Sequence, residues 1–481
     1  MNYYVTTSIP YVNADPHIGF GMEIVMADVL ARYARQQGKT VIFSTGTDEH
    51  GGKIAEKAEE LKLTPKVFTD KISESFRKLA KDLNISNDRF IRTTDAGHEQ
   101  RAGVIWKALA KDIYKGKYTG WYCTGDETFF PEATVKANNG VCPNHNRKYE
   151  KVEEENYFFR LTKYAPTIEK AISEGSFAVI PATRKHEILS VIKDGLEDIS
   201  ISRPSGKINW GVAVPGDTTQ VMYVWFEALM NYITVLGYPE HQDFKNFWPA
   251  NVHVIGKDIL RFHAAIWPGM LLALGLPLPK TLFVHGFING EGGVKMSKTL
   301  GNVIDPFAVV KEYGADVFRY FILRHIPSYE DGEFSWQRLL DSYNAELANE
   351  LGNAVQRTTA MITQYQDGVI GDIPPAEHDI AQYHAAMELC KFDRALEEVW
   401  ERVRGLNQYI DEEKPWEINK LGDADHLREV LAYQVSSLLQ IAELLAPFVP
   451  DTALKIRQVF ESGVVKPIEG TLFPRKEAPA K

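Results

Sequence analysis

A strand–helix–strand pattern at the start of the chain places the firmest constraint on its fold. Residues 3–9, YYVTTSI, are rich in β-branched and aromatic side chains and predict a strand. Residues 40–52, TVIFSTGTDEHGG, predict a second, buried strand followed by a polar loop. Between them, apolar side chains recur at helical spacing from Ile18 to Tyr33, and Gly38 follows as a helix stop. Two strands joined by a helix form a parallel pair, and ligands collect beyond the carboxyl ends of such strands.

Composition excludes several classes of protein. A chain of 481 residues suggests about three domains, and 44% hydrophobic with 25% charged residues is ordinary for a globular enzyme. The net charge of −10 provides no global basic field, so any contact with RNA depends on local basic patches. No signal peptide precedes the first strand and no apolar run can span a bilayer, so we expect no membrane partner. Three cysteines argue against a disulfide scaffold and predict a reducing, cytoplasmic location.

Two loops with chemically useful side chains follow the predicted strands. PHIGF, residues 16–20, leads into the helix, where free amides and the helix dipole favour phosphate. His17 can donate to a phosphate oxygen, and Gly19 lets a base or ribose approach the backbone. Asp48, in GTDEHGG, can hold an ammonium group or ribose hydroxyls. The ordinary alternatives are a helix-capping His17, a packing Gly19 and a solvated Asp48, and these short motifs alone do not decide between the two interpretations.

A glycine-rich segment much later in the chain changes that balance. Residues 290–306, GEGGVKMSKTLGNVIDP, carry Lys295 and Lys298, which can neutralise charge that develops on a triphosphate. Most such lysine pairs are ordinary surface residues. However, KMSKT matches all but the last letter of the KMSKS loop that accompanies a His-Ile-Gly-His motif, and it follows PHIGF in the right order. On these two motifs together, the chain resembles the class I aminoacyl-tRNA synthetases.

Within that class, the chain resembles the methionyl-tRNA synthetases from residue 3 to about residue 475. The matching segments are TTSIPYVNADPHIG, TGTDEHG, YVWFEALMNYI, GKDILRFHAAIWP, NELGNAVQR and EEKPWE. The resemblance implies that Asp48 binds the ammonium group of methionine. It implies a side-chain pocket lined by Ile9, Tyr11, Trp225, Tyr232, Ile259 and His263. Aromatic walls suit a polarizable thioether, and a donor such as Tyr11 or His263 suffices for its weak acceptor. Without the resemblance, the tryptophan and the second tyrosine would be assigned to core packing.

The resemblance also implies a two-step reaction that uses ATP with Mg²⁺. The methionine carboxylate attacks the α-phosphorus and pyrophosphate leaves; a ribose hydroxyl of the terminal adenosine of tRNA(Met) then takes the methionyl group. Catalysis is positioning plus stabilisation of developing charge, without a protein nucleophile. The implied catalytic residues are His17, Lys295 and Lys298. The residues implied to bind ATP are Asn13, His17, Gly19, Phe20, Gly256, Asp258, Lys295, Met296, Ser297 and Lys298.

Phe20 departs from the family pattern, because relatives carry a second histidine at this position. Phenylalanine cannot donate a hydrogen bond, and an uncompensated loss of one to a charged group costs about 1.5–3 kcal/mol. We hypothesise that a neighbour or a lysine of the 295–298 loop compensates, and that Phe20 packs against the sugar or base. Phe20 is also the best support for an alternative function, an adenylyltransferase or a synthetase-like binding protein without catalysis. A valyl, isoleucyl or leucyl enzyme is the other alternative, but the insertion here is too small for their editing domain.

A candidate metal knuckle interrupts the two catalytic halves. Cys123-x-x-Asp126 and Cys142-x-x-His145 have the spacing of a zinc site. Zinc-bearing relatives have cysteine where this chain has Asp126, and a carboxylate is the weaker Zn²⁺ ligand. The alternative is a metal-free knuckle held by strand pairing and aromatic packing, and the sequence leaves both open.

From about Asp341 onward, helical spacing with short polar breaks predicts an antiparallel bundle. The resemblance implies that this bundle reads the anticodon CAU through Asn353, Arg357 and Trp416. Unpaired bases are read by aromatic stacking and edge hydrogen bonds, which these side chains supply. The chain lacks the appended dimerising domain of some relatives, so we expect a monomer.

The predicted architecture is therefore α/β. It consists of a Rossmann-type parallel-sheet catalytic domain with a small inserted knuckle domain, followed by an all-α helix bundle. The predicted segments are 1–117 with 211–290 for the catalytic domain, 118–210 for the insertion, 291–340 for the KMSKT loop region, and 341–481 for the anticodon-binding domain.

Overall fold

A computed structural model describes residues 1–125, 128–130, 132–296, 301–375 and 379–477 of the chain. The chain forms two compact units, each built from several stretches of sequence. The first unit comprises Met1–Pro16, Gly38–Lys78 and Asn87–Val284, and the second comprises His17–Gln37, Leu79–Ser86 and His285–Lys481.

Among the described residues, strands alternate with helices as far as residue 333, and the chain beyond that point is helical apart from its loops. The strands are β1 (Asn2–Thr7), β2 (Thr40–Thr47), β3 (Arg89–Arg92), β4 (Ile113–Cys123), β5 (Thr128–Phe130), β6 (Glu150–Phe159), β7 (Ala178–Ile180), β8 (Ile199–Ser200), β9 (Ser202–Pro204), β10 (Ala213–Val214), β11 (Asp217–Met222), β12 (Val252–Gly256), β13 (Thr281–His285), β14 (Ile288–Asn289) and β15 (Gly332–Glu333). The helices are α1 (Ile18–Gln36), α2 (Gly52–Glu60), α3 (Pro65–Asp82), α4 (Ala96–Ala108), α5 (Glu132–Ala137), α6 (Ala165–Glu174), α7 (Ala182–Asp194), α8 (Val224–Ala228), α9 (Asn231–Thr234), α10 (Gln242–Phe247), α11 (Trp267–Ala273), α12 (Pro306–Tyr313), α13 (Ala315–His325), α14 (Trp336–Ser342), α15 (Asn353–Tyr365), α16 (Ala381–Glu388), α17 (Phe392–Glu413), α18 (Pro415–Leu421), α19 (Ala424–Leu445) and α20 (Pro450–Phe460).

A six-stranded parallel sheet of order β3-β2-β1-β12-β13-β7 organises the first unit. Val5 of β1 lies opposite Phe43 of β2 and Val252 of β12, so β1 is a central strand. The predicted parallel pair is confirmed. Its first strand ends at Thr7 rather than Ile9, because the chain turns after that point into the loop that meets the end of β2.

A second sheet, antiparallel and of order β5-β4-β6-β8, also belongs to the first unit. Its longest ladder pairs β4 with β6 from Ile113 opposite Phe159 to Tyr122 opposite Glu150. The predicted insertion 118–210 supplies most of this sheet, but β7 inside that range pairs with β13 of the main sheet.

A large cluster of buried apolar side chains packs inside the first unit. Its largest fully buried members include Trp267, Tyr232 and Phe226. Rings of this size remove much apolar surface from water, which is the main favourable contribution to folding. The loops at the carboxyl ends of β1 and β2 lie on this rigid support.

The second unit is mainly helical, as predicted for the C-terminal part of the chain. Its α1 and α13 are joined by an ion pair between Asp28 and Arg319, whose nearest atoms lie 2.7 Å apart and whose side chains are fully buried. Arg319 also donates to the carbonyl oxygens of Pro447 and Phe448. A buried guanidinium is tolerated only with such a complete set of acceptors. Among the described residues, no helix is long and apolar enough to cross a membrane.

Candidate active site

The loop after β2 forms one further parallel bridge with the loop after β1, which places Asp48 beside Tyr11. The backbone N–H of Asp48 donates to Pro10 at 2.9 Å, and Val12 donates to the carbonyl oxygen of Asp48 at 3.1 Å. The Asp48 side chain is 4% exposed. A carboxylate this buried is costly unless it meets a positive group or hydrogen-bond donors. Two residues that the resemblance assigned to the amino acid therefore lie together at the carboxyl ends of β1 and β2.

Four further predicted pocket residues come from α8, α9 and the turns after β12. The Tyr232 hydroxyl lies 2.7 Å from His263 Nε2, and His263 Nδ1 lies 3.0 Å from the Ile259 carbonyl oxygen. A carbonyl only accepts, so Nδ1 carries the ring proton and Nε2 accepts from the tyrosine. Trp225 stacks on Phe262 with ring centroids 4.1 Å apart. These groups offer a stacked pair of apolar rings and one hydroxyl–imidazole pair, all packed on the same buried cluster. Ile9 is half-buried in the loop after β1.

A second histidine, His253, packs against the Tyr232 ring and was not predicted from the sequence. The His253 ring lies 4.3 Å from the Tyr232 ring between centroids, and Trp267 Nε1 donates to His253 Nε2 at 3.3 Å. Thr6 then accepts from Nδ1 at 2.7 Å. Burial lowers the pKa of His253 well below its usual value, and His263 lowers it further. The ring is therefore neutral with a fixed tautomer. In the sequence, His253 cannot be distinguished from an ordinary core residue of strand β12.

The predicted ribose residues come at the end of the central strand β12. Gly256 is the last residue of that strand and is buried, while Asp258 follows in a short turn and is exposed. Asn13, also predicted to bind the nucleotide, is exposed in the loop after β1. An exposed carboxylate beyond the carboxyl end of a parallel strand can accept hydrogen bonds from sugar hydroxyls.

In the second unit, His17 caps helix α1. Its Nδ1 accepts from the backbone N–H of Gly19 at 3.1 Å, so the ring proton lies on Nε2, a nitrogen that can donate to an anion. A Cβ on Gly19 would lie 2.9 Å from His17 Cε1, so any larger residue here would displace the capping ring. The capping role, considered as the ordinary alternative, therefore coexists with a donor at the helix N-terminus. Phe20 follows and is only 6% exposed.

The lysine loop is described up to Met296. Lys295 is exposed, Met296 is half-buried, and the Lys295 carbonyl oxygen accepts from Asn302 at 3.3 Å. Gly292 and Gly293 have φ angles of 72° and 73°, a conformation that side chains other than glycine rarely adopt. The predicted site residues Ser297 and Lys298 lie outside the described residues.

Three of the four predicted metal ligands converge in the first unit. The ligand atoms of Cys123, Cys142 and His145 all lie within 4.8 Å of one another, and both cysteines are buried. Cys142 Sγ lies 3.8 Å from His145 Nδ1, a separation that suits two ligands on one tetrahedral Zn²⁺. Asp126, the predicted fourth ligand, lies outside the described residues. The donors that are described fit a zinc ion.

The predicted anticodon residues lie among the helices of the second unit. Asn353 and Arg357 occupy one face of α15, and the Arg357 guanidinium carbon lies 5.7 Å from the centre of the Trp416 ring. Arg357 also pairs with Asp411 at 2.7 Å. Asn353 borders a cavity of about 610 Å³ whose other lining residues include Gln356, Thr471, Phe473 and Arg475. A cation, an aromatic face and an amide in this arrangement can stack and hydrogen-bond with an unpaired base.

Comparison with known proteins gives a consistent set of relatives. Residues 3–359 match the family described as tRNA synthetases class I (M). The chain is 41% identical over 476 residues to the methionine–tRNA ligase of Thermotoga maritima, covering 95% of this chain and 75% of that protein. It is 41% identical over 473 residues to that of Brucella melitensis, covering 95% and 91%. A solved structure of Mycobacterium tuberculosis methionyl-tRNA synthetase in complex with methionyl-adenylate is similar with a TM-score of 0.91, at 36% identity over 98% of this chain and 100% of that one.

Proposed function

The chain belongs to the methionyl-tRNA synthetases of class I, and we propose from that membership how its own residues perform the reaction. Its activity is that of a methionine–tRNA ligase. It activates methionine with ATP to methionyl-adenylate and pyrophosphate, then transfers methionine to the 3′-terminal adenosine of tRNA(Met). The family membership supports this activity, and the buried Asp48 beside Tyr11 carries the assignment of the amino-acid site.

In this proposal, Asp48 holds the ammonium group and the aromatic wall holds the side chain. The buried carboxylate supplies the opposite charge where water is scarce, which strengthens the attraction. The pocket side chains are Ile9, Tyr11, Trp225, Tyr232, Ile259 and His263. The thioether is only a weak acceptor, and the Tyr232 hydroxyl already donates to His263, so a methionine side chain leaves no polar group of this pair without a partner.

In this proposal, backbone N–H groups and charged side chains bind the nucleotide, and no side chain forms a covalent bond to it. We assign His17 Nε2 and the N-terminus of α1 to the phosphates, and Lys295 with Lys298 to the departing pyrophosphate. Asn13, Gly19, Phe20, Gly256, Asp258, Met296 and Ser297 complete the ATP-binding set. Bound Mg²⁺ would neutralise phosphate charge, and the residues above orient the α-phosphorus for attack by the methionine carboxylate.

The same family membership extends the proposal to tRNA. Asn353, Arg357 and Trp416 would recognise the anticodon CAU, supported by the cation–aromatic arrangement of Arg357 over Trp416. We further propose a cytoplasmic monomer with the domain segments predicted above. Size-exclusion chromatography with light scattering tests the monomer, and a dimer mass would contradict it.

We also propose that Cys123, Cys142, His145 and Asp126 hold one structural zinc ion. The three described ligand atoms already lie at mutual distances that suit it. Metal analysis of protein purified without chelator should give close to one equivalent. Less than about a tenth of an equivalent would favour the metal-free knuckle.

Amino-acid-dependent ATP–pyrophosphate exchange tests the proposed activity. Methionine alone among the standard amino acids should give strong exchange, and no exchange above blank with methionine would refute it. Asp48→Asn removes the charge without changing the shape, and we expect the methionine KM to rise about 100-fold, as for loss of one partner of a buried charge pair. Asp194→Asn at an exposed helix end is the matched control and should behave as the wild type. Aminoacylation of tRNA with an altered anticodon tests the bundle.

A further inference from the structure

A hydrogen bond joins the two segments that carry opposite ends of the proposed methionine site. His50 follows Asp48 by two residues in the loop after β2, and Glu227 follows Trp225 by two residues in α8. His50 Nδ1 lies 3.3 Å from Glu227 Oε2, and the two side chains are only 3% and 1% exposed. None of the roles proposed above uses this pair.

Both oxygens of Glu227 and both nitrogens of His50 have partners. His98 Nε2 lies 2.5 Å from Glu227 Oε1, and His98 Nδ1 lies 2.7 Å from the Thr234 hydroxyl. The second nitrogen of His50 faces Glu99 Oε1 at 3.5 Å, and that carboxylate is 45% exposed. Since both nitrogens of His50 face carboxylates, the ring is satisfied only as a doubly protonated cation.

The electrostatics of the cluster agree with that protonation state. Burial by itself lowers the pKa of His50, but Glu227, Glu99 and Asp48 outweigh it and raise the pKa to about 10. Burial by itself raises the pKa of Glu227, and its interactions with His50 and His98 together outweigh burial and hold that pKa below its usual value. The pair is therefore ionised across the neutral pH range.

The other groups that face His50 leave Glu227 as its main counter-charge. The Trp210 ring lies 5.6 Å from the imidazole between centroids, and Trp210 Nε1 donates to the Glu49 carbonyl oxygen at 2.5 Å. A small cavity beside the ring is bounded by residues that include Tyr122, Arg203 and Tyr223. Arg203 is a cation, so it adds no negative charge that could replace Glu227.

We propose that Glu227 is a positioning residue for the methionine ammonium group. It neutralises the charge of His50, which weakens the competition of the imidazolium with the substrate for Asp48, and it ties the Asp48 loop to the helix that carries Trp225. Without Glu227, Asp48 is the buried carboxylate left acting on the imidazolium, and this internal attraction competes with the ammonium group. The inference rests on the proposed role of Asp48.

The test compares Glu227→Gln, His50→Gln and the double variant with the wild type in methionine-dependent ATP–pyrophosphate exchange from pH 6 to 9. Dividing each variant's kcat/KM by the wild-type value at the same pH removes the effect of substrate ionisation, which is the same for both proteins. In Glu227→Gln the His50 pKa falls into the measured range, and the ring is charged at low pH and neutral at high pH. The ratio of this variant's kcat/KM for methionine to that of the wild type should therefore rise about tenfold from low to high pH, as expected for one ionisation. The change should come from the methionine KM, and the ATP KM should not change.

The two variants that lack His50 have no such ionisation, so their ratios to wild type should not vary with pH. Glu99→Gln is the matched control, because it removes the exposed partner of the same ring and should change the profile by less than about twofold. A pH-independent ratio for Glu227→Gln, or an equal change in the ATP KM, would overturn the proposal. So would a pH-dependent ratio that persists in the double variant.

A measurement on the wild-type chain keeps the proposal testable if Glu227→Gln does not fold. With ¹⁵N-labelled histidine, both ring nitrogens of His50 should remain protonated at pH 8, assigned by comparison with His50→Gln. A neutral His50 ring at that pH would refute the inference. The Asp48→Asn variant tests the role of Asp48 separately from the role of Glu227. An unchanged methionine KM in Asp48→Asn would refute the proposed Asp48 role, whatever pH dependence the Glu227→Gln variant shows.

Discussion

Gly19→Ala is the sharpest test of the proposed phosphate end of the site. The added Cβ would lie 2.9 Å from His17 Cε1 and 3.0 Å from His17 Nδ1, which is closer than real Cβ contacts. The His17 ring must therefore leave the position in which Nδ1 accepts from the Gly19 N–H. We expect a loss of about 0.5–2 kcal/mol of stability from the broken cap.

The displaced ring also moves the Nε2 donor that we assign to a phosphate oxygen. One lost hydrogen bond to a charged group is worth about 1.5–3 kcal/mol, which corresponds to about a 10- to 150-fold lower kcat in pyrophosphate exchange. The methionine KM should stay within about twofold, because no residue assigned to the amino-acid side chain has changed. Thermal unfolding measured alongside separates the two effects.

A double-mutant cycle decides whether the effect acts through His17. In a His17→Ala background, Gly19→Ala should lower kcat no further, because the ring that it displaces is absent. Gly405→Ala is the matched control, since it adds a methyl group in the middle of α17 with nothing within 4 Å and should leave exchange unchanged. Wild-type kcat in Gly19→Ala, or fully additive losses in the cycle, would refute the reasoning.

Local sequence signals were enough to predict the start of the fold. Helix α1 begins at Ile18, directly after the capping His17, and Gly38 follows its end with a φ of 73°, as a helix stop requires. Strand β2 (Thr40–Thr47) lies within the segment 40–52 that was predicted as a strand followed by a loop, and it pairs in parallel with β1. These features could be predicted because helical periodicity, helix capping and the conformation of one glycine depend on residues close together in the sequence.

Long-range partners were beyond the sequence because spacing along the chain does not reveal them. His50 and Glu227 are separated by 177 positions, and neither has a local pattern that marks it as charged and buried. His253 lies in a strand whose other residues are apolar, so its contact with Tyr232 depends on how helix α9 packs on the sheet. The roles carried over by resemblance remain predictions that the variants above test.

The remaining predictions concern stability, specificity, the knuckle and the altered motif. Burial raises the pKa of Asp28, but Arg319, Arg32 and the hydrogen bonds from Ser86 together outweigh it and hold that pKa below its unfolded value. The stabilisation is therefore complete at neutral pH and is lost as pH falls below about 4. Asp28→Asn should cost about 3–5 kcal/mol in urea unfolding at pH 7, and less at pH 3. Tyr232→Phe should raise the methionine KM about tenfold with an unchanged ATP KM, because His263 Nε2 loses its hydrogen-bond donor and the imidazole is no longer held in the pocket wall. Cys142→Ser should lower bound zinc below about a tenth of an equivalent. Phe20→His places an imidazole where only 6% of the side chain is exposed, so desolvation should lower stability by about 1–3 kcal/mol without raising exchange. A large gain in kcat would instead mean that the missing histidine is not compensated.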